Sequence, residues 1–351
     1  MQCQNFNEDW TFEKANQADR LKAFYGNSNA VAVTLPHDAM IREKRDKDCP
    51  SGAQSGFYPG GVYTYEKKFM AQYEWKKQDV FLEFEGIYGI ARVWINGSLA
   101  AVNRNGYMGF SVDLKPWISY EHENIIRIDV DNSKQPNSRW YSGSGIYRDV
   151  YLYTVPDTHA YDLQIRAIPE ENLDVADLEV KVKTWGKGSI VFRLEKDGEC
   201  VLEEKKSLAE SENSFAWKID HPELWSAEDP QLYDFAIELY DEAGNLQEVI
   251  PQKAGFRRFE MKNGIMTLNG KRIVFKGVNR HEFSSVSGRH VSEEELRKDL
   301  RTMKQNNINA IRTCHYPDAS LIYQLCDEYG IYMIDETNLE SHGSWDVAEM
   351  T

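Results

Sequence analysis

Three short stretches bring together residue types that can bind a polar ligand or a metal ion. They are Asn279-Arg280-His281-Glu282, Arg312-Thr313-Cys314-His315-Tyr316, and Asp335-Glu336 followed by Glu340 and His342. Imidazole gives one donor and one acceptor, carboxylates accept, and guanidinium offers a planar fork of donors. Zinc chemistry is not indicated. The five cysteines (Cys3, Cys49, Cys200, Cys314, Cys326) are odd in number, scattered and without Cys-x-x-Cys spacing, so they read as free thiols in a reducing compartment.

The elements that must position these stretches follow from the local pattern. Residues 273–278 form an apolar run of the buried-strand type that ends in the first stretch. Residues 309–313 form a second run, ended by the second stretch and closed by Pro317, which has no N–H for a ladder bond. Between them, Ser292 with Glu295 makes a capping box, and Leu296, Leu300 and Met303 share one helical stripe. Asp318 is placed to cap a second helix, in which Leu321, Ile322, Leu325, Cys326 and Tyr329 recur at helical spacing until Gly330 stops it. Residues 331–334 are apolar without alternation, the pattern of a strand buried on both faces, and they open into the third stretch. This is strand, helix, strand, helix, strand, the opening of a β/α series in which chemistry sits at the C-terminal strand ends. Three strands and two helices cannot close an eight-stranded barrel, so further polypeptide or a complementing chain is expected to complete it.

Composition narrows the class. At 351 residues the chain exceeds one ordinary core. A hydrophobic share of 41% with 12% aromatics argues against disorder. No apolar run approaches the ~20 residues that span a bilayer. A net charge of -15 argues against nucleic acid and anionic membrane surfaces, and favours a neutral partner. The opening MQCQNFNEDWTF carries neither a basic region nor an apolar one, so no secretion signal is read and a cytoplasmic location is expected.

Residues 1–155 read as all β. Val80, Leu82 and Phe84 alternate with polar neighbours, Val93 and Ile95 lead into the hairpin pair Asn96-Gly97, and Ile126, Ile128 and Val130 line one face of a further strand. Many short strands imply a jelly-roll sandwich. Tyr58, Tyr63, Trp94, Tyr107, Trp140 and Tyr141 lie beside turns, where aromatics either stack on sugar rings or fill the core. Residues 156–257 repeat the alternation through Leu178, Val180 and Val182, Ile190, Phe192 and Leu194, and Tyr233, Phe235, Ile237 and Leu239, with turns at Asp197-Gly198 and Gly244-Asn245. That spacing predicts an immunoglobulin-like β-sandwich without a ligand site of its own. Residues 258–351 hold the β/α units. The fold expected is therefore multidomain and mainly β: a jelly roll, an immunoglobulin-like sandwich and an incomplete (β/α)8 TIM barrel.

GVNRHEF at 277–283, NAIRTCHYP at 309–317 and IDETNLESHG at 334–343, with WYSGSGIYRDV at 140–150, occur in the order and spacing of glycoside hydrolase family 2, and the whole chain resembles that family. Arg280 before His281, together with the ESHG ending, resembles its β-galactosidases more than its β-glucuronidases. The resemblance implies retaining hydrolysis by two glutamates, which needs their carboxyls ~5 Å apart. Both are expected on polypeptide after Thr351, so no catalytic residue is assigned within this chain and the chain alone is expected to be inactive.

The resemblance also implies roles for matched positions. His281 and His315 hydrogen-bond sugar hydroxyls, the competing role being a histidine tied to a carboxylate for structure. Arg312 orients the site's carboxylates or makes a salt bridge at the barrel rim. Glu340 and His342 match two protein ligands of a magnesium ion in the full-length enzyme, and two donors alone are not expected to hold Mg2+ tightly. Asp131 is the candidate contribution of the first domain to the sugar subsite, the competing role being a solvated strand end. The partner expected is a small β-galactoside, with a second copy or a complementing chain as macromolecular partner. The alternatives are a β-glucuronidase or other family 2 glycosidase, and a non-catalytic carbohydrate-binding module. A binding module has no use for the three strand-end motifs, which favours the enzyme.

Overall fold

The computed structural model describes residues 1–14, 29–134, 138–209 and 211–339. The chain opens as a β-sandwich. One sheet runs in the order Val31–Val33, Trp10–Lys14, Gly61–Met70, Glu123–Asn132, Ile90–Ile95, Ser98–Asn103, and the facing sheet in the order Gln2–Asn5, Val150–Val155, Asp79–Phe84, Phe110–Asp113. The alternating residues Val80, Leu82, Phe84, Val93, Ile95, Ile126, Ile128 and Val130 are all buried between these sheets, joined by Trp10, Tyr58, Tyr63 and Tyr65. At the hairpin, Asn96 and Gly97 take φ of 49° and 83°. Two consecutive positive values follow the right-handed twist of the flanking strands.

The second sandwich packs the sheet His159–Pro169, Val175–Trp185, Glu212–Asp220 against the sheet Glu199–Ser207, Ser189–Lys196, Tyr233–Tyr240, Leu246–Ala254. Its core is the expected alternating set, including Leu178, Val180, Phe192, Phe235 and Ile237.

The third unit opens with three short antiparallel strands, Phe259–Lys262, Ile265–Leu268 and Lys271–Arg272. It continues as a parallel sheet, Gly277–Arg280, Ala310–Thr313, Tyr332–Ile334, crossed over by the helices Glu293–Gln305 and Ser320–Tyr329. Leu296, Leu300, Ile311, Ile322, Leu325, Cys326 and Ile331 form its core. The capping box is present in full: the Ser292 hydroxyl accepts from the Glu295 amide, and the Glu295 carboxylate accepts from the Ser292 amide.

Three local expectations are corrected. The run 273–278 enters the parallel ladder only at Gly277, because Ile273 N–H is donated back to Met266 O (3.1 Å) and the Asn309 side chain, not a strand, bridges Val274 O (3.1 Å) and Lys276 N (2.8 Å). Asp318 does not cap its helix: Ala319 is the N-cap, and the Asp318 carboxylate is buried against Arg280 (2.9 Å). Pairing a buried guanidinium outweighs a cap bond of about 1 kcal/mol. Residues 332–334 are not buried on both faces. Ile334 is 52% exposed, and among the described residues this strand pairs with Ala310–Thr313 alone.

Candidate functional site

The parallel strands end beneath a loop of the first domain. Residues 140–148 fold over the barrel rim, and two glycines let them do so. Gly143 and Gly145 have φ of 64° and 94°, and a Cβ at Gly143 would collide with Arg289 and with Asp38. The Asp38 carboxylate gathers this junction, accepting from Tyr141 Oη (2.8 Å), Arg289 N (2.8 Å) and Ser144 N (3.3 Å).

Behind the rim lies a buried ion pair between domains. Arg148 Nη2 donates to Glu282 Oε2 (2.7 Å) and to Pro317 O (2.8 Å), and Arg148 Nη1 donates to Tyr107 O (3.0 Å). Glu282 Oε1 accepts from Ala319 N (2.8 Å). Burial pushes the Glu282 carboxyl up, yet the Arg148 and Arg289 guanidinium groups outweigh it and hold the group below its usual range. In the same network burial and the Glu282 charge push Asp318 up to about 7, with Arg280 pulling the other way.

In front of that pair stand the rings. Tyr107 of the first domain stacks on Tyr316 with centroids 4.2 Å apart and planes 7° from parallel. Trp140 Nε1 donates to Tyr107 Oη (3.1 Å), and its ring packs at 5.6 Å from His281 and 5.2 Å from His315. The two histidine rings meet edge to face at 5.5 Å. His281 Nδ1 lies 3.0 Å from Tyr316 Oη. Burial, then Arg289 and His315, bring the His281 imidazole down to about 4, so the ring is neutral at pH 7.

Arg312 spans the rim. Its Nε donates to Glu336 Oε1 (2.7 Å), its Nη1 to Asn279 Oδ1 (3.3 Å), and its Nη2 lies 3.2 Å from His315 Nδ1. His315 Nδ1 is also 3.2 Å from Glu336 Oε2. Arg312 thus holds Glu336 and reaches all three strand ends.

The structure therefore brings His281, His315 and Arg312 into one cluster. Asp131 lies on the first-domain strand Glu123–Asn132, where its Oδ1 accepts from Ser133 N (3.1 Å) and Ser133 Oγ (2.6 Å). Its described bonds are local to that strand end and do not join the cluster. Glu340 and His342 lie outside the described residues. As for magnesium, Asp335 is engaged by Thr313 Oγ1 (2.9 Å) and Tyr323 Oη (2.9 Å), Glu336 by Arg312 and His315. Among the described residues no three such donors converge to hold a metal.

Sequence reasoning missed Asp38, Arg148 and Arg289, and it named Glu282 only as a strand-end residue, not as the partner of Arg148. Arg148 and Glu282 sit inside motifs already singled out, and charged residues flanked by aromatics in such motifs were the available signal. Asp38 offers none.

Two β-sandwiches followed by parallel β/α units, with the first sandwich closing over the strand ends, define a multidomain β-sandwich and TIM-barrel protein. Three family models match the chain in succession: "Glycosyl hydrolase 2 galactose-binding domain-like" at 10–166, "Glycosyl hydrolases family 2" at 158–257, and "Glycosyl hydrolases family 2, TIM barrel domain" at 259–351. The chain belongs to glycosyl hydrolases family 2. It is 44% identical to a beta-galactosidase of Halalkalibacterium halodurans over 81% of this chain and 29% of that one. It is 32% identical to a beta-galactosidase large subunit of Lactobacillus helveticus, over 97% of this chain and 60% of that one. A solved beta-glycosidase from Bacteroides vulgatus superposes with a TM-score of 0.85 at 29% identity, covering 96% of this chain and 44% of that structure. The chain spans between 28% and 60% of the lengths of the curated relatives it matches.

Proposed function

We propose that this chain forms the sugar-gripping part of a retaining β-galactosidase that hydrolyses terminal non-reducing β-D-galactosyl residues. The observation that carries the reading is the convergence of Trp140, His281, His315 and Arg312 at the C-terminal ends of the parallel strands. A neutral imidazole beside an indole face suits a pyranose, which presents hydroxyls at its edge and C–H bonds on its face. The relatives named beta-galactosidase support the choice of sugar.

Neither described glutamate of the rim serves as a reacting carboxylate in this reading. Glu282 is fully enclosed by Arg148 and Ala319 N–H, and Glu336 is held by Arg312 and His315. Retention needs two free carboxyls ~5 Å apart on either side of the anomeric carbon, and these are supplied by polypeptide outside the chain. Glu340 and His342 hold a magnesium ion in the complete enzyme. Relatives named as a large subunit support a complementing chain as partner. The five free thiols fit a cytoplasmic setting. No helix among the described residues is long and apolar enough to cross a membrane.

The test compares release of nitrophenol from a β-galactoside and from a β-glucuronide by the complete enzyme and by this chain alone. The expected result is galactoside turnover by the complete enzyme only, lowered at least tenfold in kcat/KM by His281→Ala or His315→Ala. Glucuronide as the better substrate, or turnover by the isolated chain, overturns the reading. For the metal, a calorimetric titration of the complete enzyme with Mg2+ is expected to lose its binding signal in Glu340→Ala.

A further inference from the structure

We infer that Arg289 and Tyr316 are positioning residues for His281: they hold its imidazole as the Nε2–H tautomer and so aim one hydrogen-bond donor out of the rim. A guanidinium only donates, and Arg289 Nη1 donates to the Tyr316 hydroxyl oxygen. Tyr316 is fully buried, so its own hydroxyl hydrogen needs an acceptor inside the protein. Arg289 cannot be that acceptor. Among the described residues, the group within reach is Nδ1 of His281 at 3.0 Å. Nδ1 must then carry the lone pair, which places the ring's single proton on Nε2.

The chain of bonds runs in one direction because Arg289 cannot turn. Its side chain has no solvent exposure, its guanidinium lies 4.4 Å over the Tyr316 ring and 5.2 Å over the Tyr147 ring, and its backbone N–H is held by Asp38 at 2.8 Å. Glu282 lies 3.7 Å from Nη2 and balances the charge. Tyr316 is equally fixed by its stack on Tyr107. A second proton on His281 would leave the Tyr316 hydroxyl hydrogen without an acceptor, and the lowered basicity of His281 agrees with that.

The consequence is a polarity at the rim. Nε2–H can donate to an oxygen lone pair and cannot accept, so a sugar hydroxyl must receive there and pass its own proton elsewhere. A ligand that presents only donors, such as an ammonium group, is rejected. The identity of the ligand rests on the reading of the rim as a sugar site, whereas the tautomer does not.

The experiment is 15N spectroscopy of histidine-labelled full chain without sugar, with the His281 signals assigned by their loss in His281→Asn. The expected result is a protonated Nε2 and a bare Nδ1, with a cross-peak linking Nδ1 to the Tyr316 hydroxyl proton. In Tyr316→Phe the ratio of Nε2–H to Nδ1–H forms is expected to fall about fivefold, the worth of one neutral hydrogen bond. A proton on Nδ1 in the unsubstituted chain, an absent cross-peak where the hydroxyl proton is resolved, or an unchanged ratio in a folded Tyr316→Phe chain overturns the inference. The cross-peak decides the matter should that variant not fold. Because no sugar is used, a complete enzyme that ignores galactosides while His281 keeps Nε2–H sinks the proposed function alone.

Discussion

Replacing Arg148 with methionine tests how the first domain is fastened to the barrel strands. The side chain is 6% exposed and Glu282 only 3%, so the substitution leaves a carboxylate buried beside an apolar group. Removing one partner of a buried pair costs about 3–5 kcal/mol. Here Glu282 keeps Ala319 N–H and the more distant Arg289, which favours the lower end. The carbonyls of Tyr107 and Pro317 also lose their donor, which moves the cost back up. We expect about 3 kcal/mol or more, a factor of about 150 in the opening equilibrium.

With more than one domain in the chain a single unfolding free energy is not defined. The suitable assay is native-state hydrogen exchange at the amides of Ala319 and Cys314, which donate to Glu282 and to Arg280 O. Exchange should quicken about a hundredfold in Arg148→Met, while amides of the second sandwich keep their wild-type rates. Arg148→Met with Glu282→Leu should restore much of the loss, because no buried charge is then left over at this pair. Acceleration below about fivefold, or a double variant equal to the sum of its singles, refutes the reasoning.

Three further outcomes follow from particular groups. His281 has its folded pKa at about 4 against an ordinary 6.5, so the unfolded chain binds the extra proton between those values, and stability falls as pH drops through that window. His281→Asn should flatten this part of a stability-versus-pH curve measured by thermal unfolding. Gly143→Ala forces a side chain onto φ of 64° and into Arg289 and Asp38. It should destabilise the junction of the first domain with the barrel by ~1–3 kcal/mol, read as faster hydrogen exchange at the Ser144 and Arg289 amides, which donate to Asp38. Ser292→Ala removes one half of the capping box and should cost about 1 kcal/mol, measured by exchange at amides of the helix Glu293–Gln305.

Much of the fold was legible because it is encoded over short windows. The alternation of Val80, Leu82 and Phe84, the turn at Asn96-Gly97 and the box of Ser292 with Glu295 each need only a few neighbouring residues, and each appears as expected. The strand-end clusters were legible for the same reason, since His281, Arg312 and His315 close runs of apolar sequence. Ile334 shows the limit of that logic: an unalternated run predicts a strand buried on both faces, but only the neighbours present decide whether both faces are covered.

What the sequence by itself determined, then, is the set of elements, their order and the residue types offered at the strand ends. Only the tertiary structure decided which groups meet. Arg148 and Glu282 are separated by 134 positions and Asp38 and Arg289 by 251, and no local preference carries information over such distances. Asp318 shows the two scales in conflict, its capping propensity overridden by Arg280, 38 positions away. A buried charge must find its counter-charge wherever the packing puts it, at a cost several times that of a missing cap.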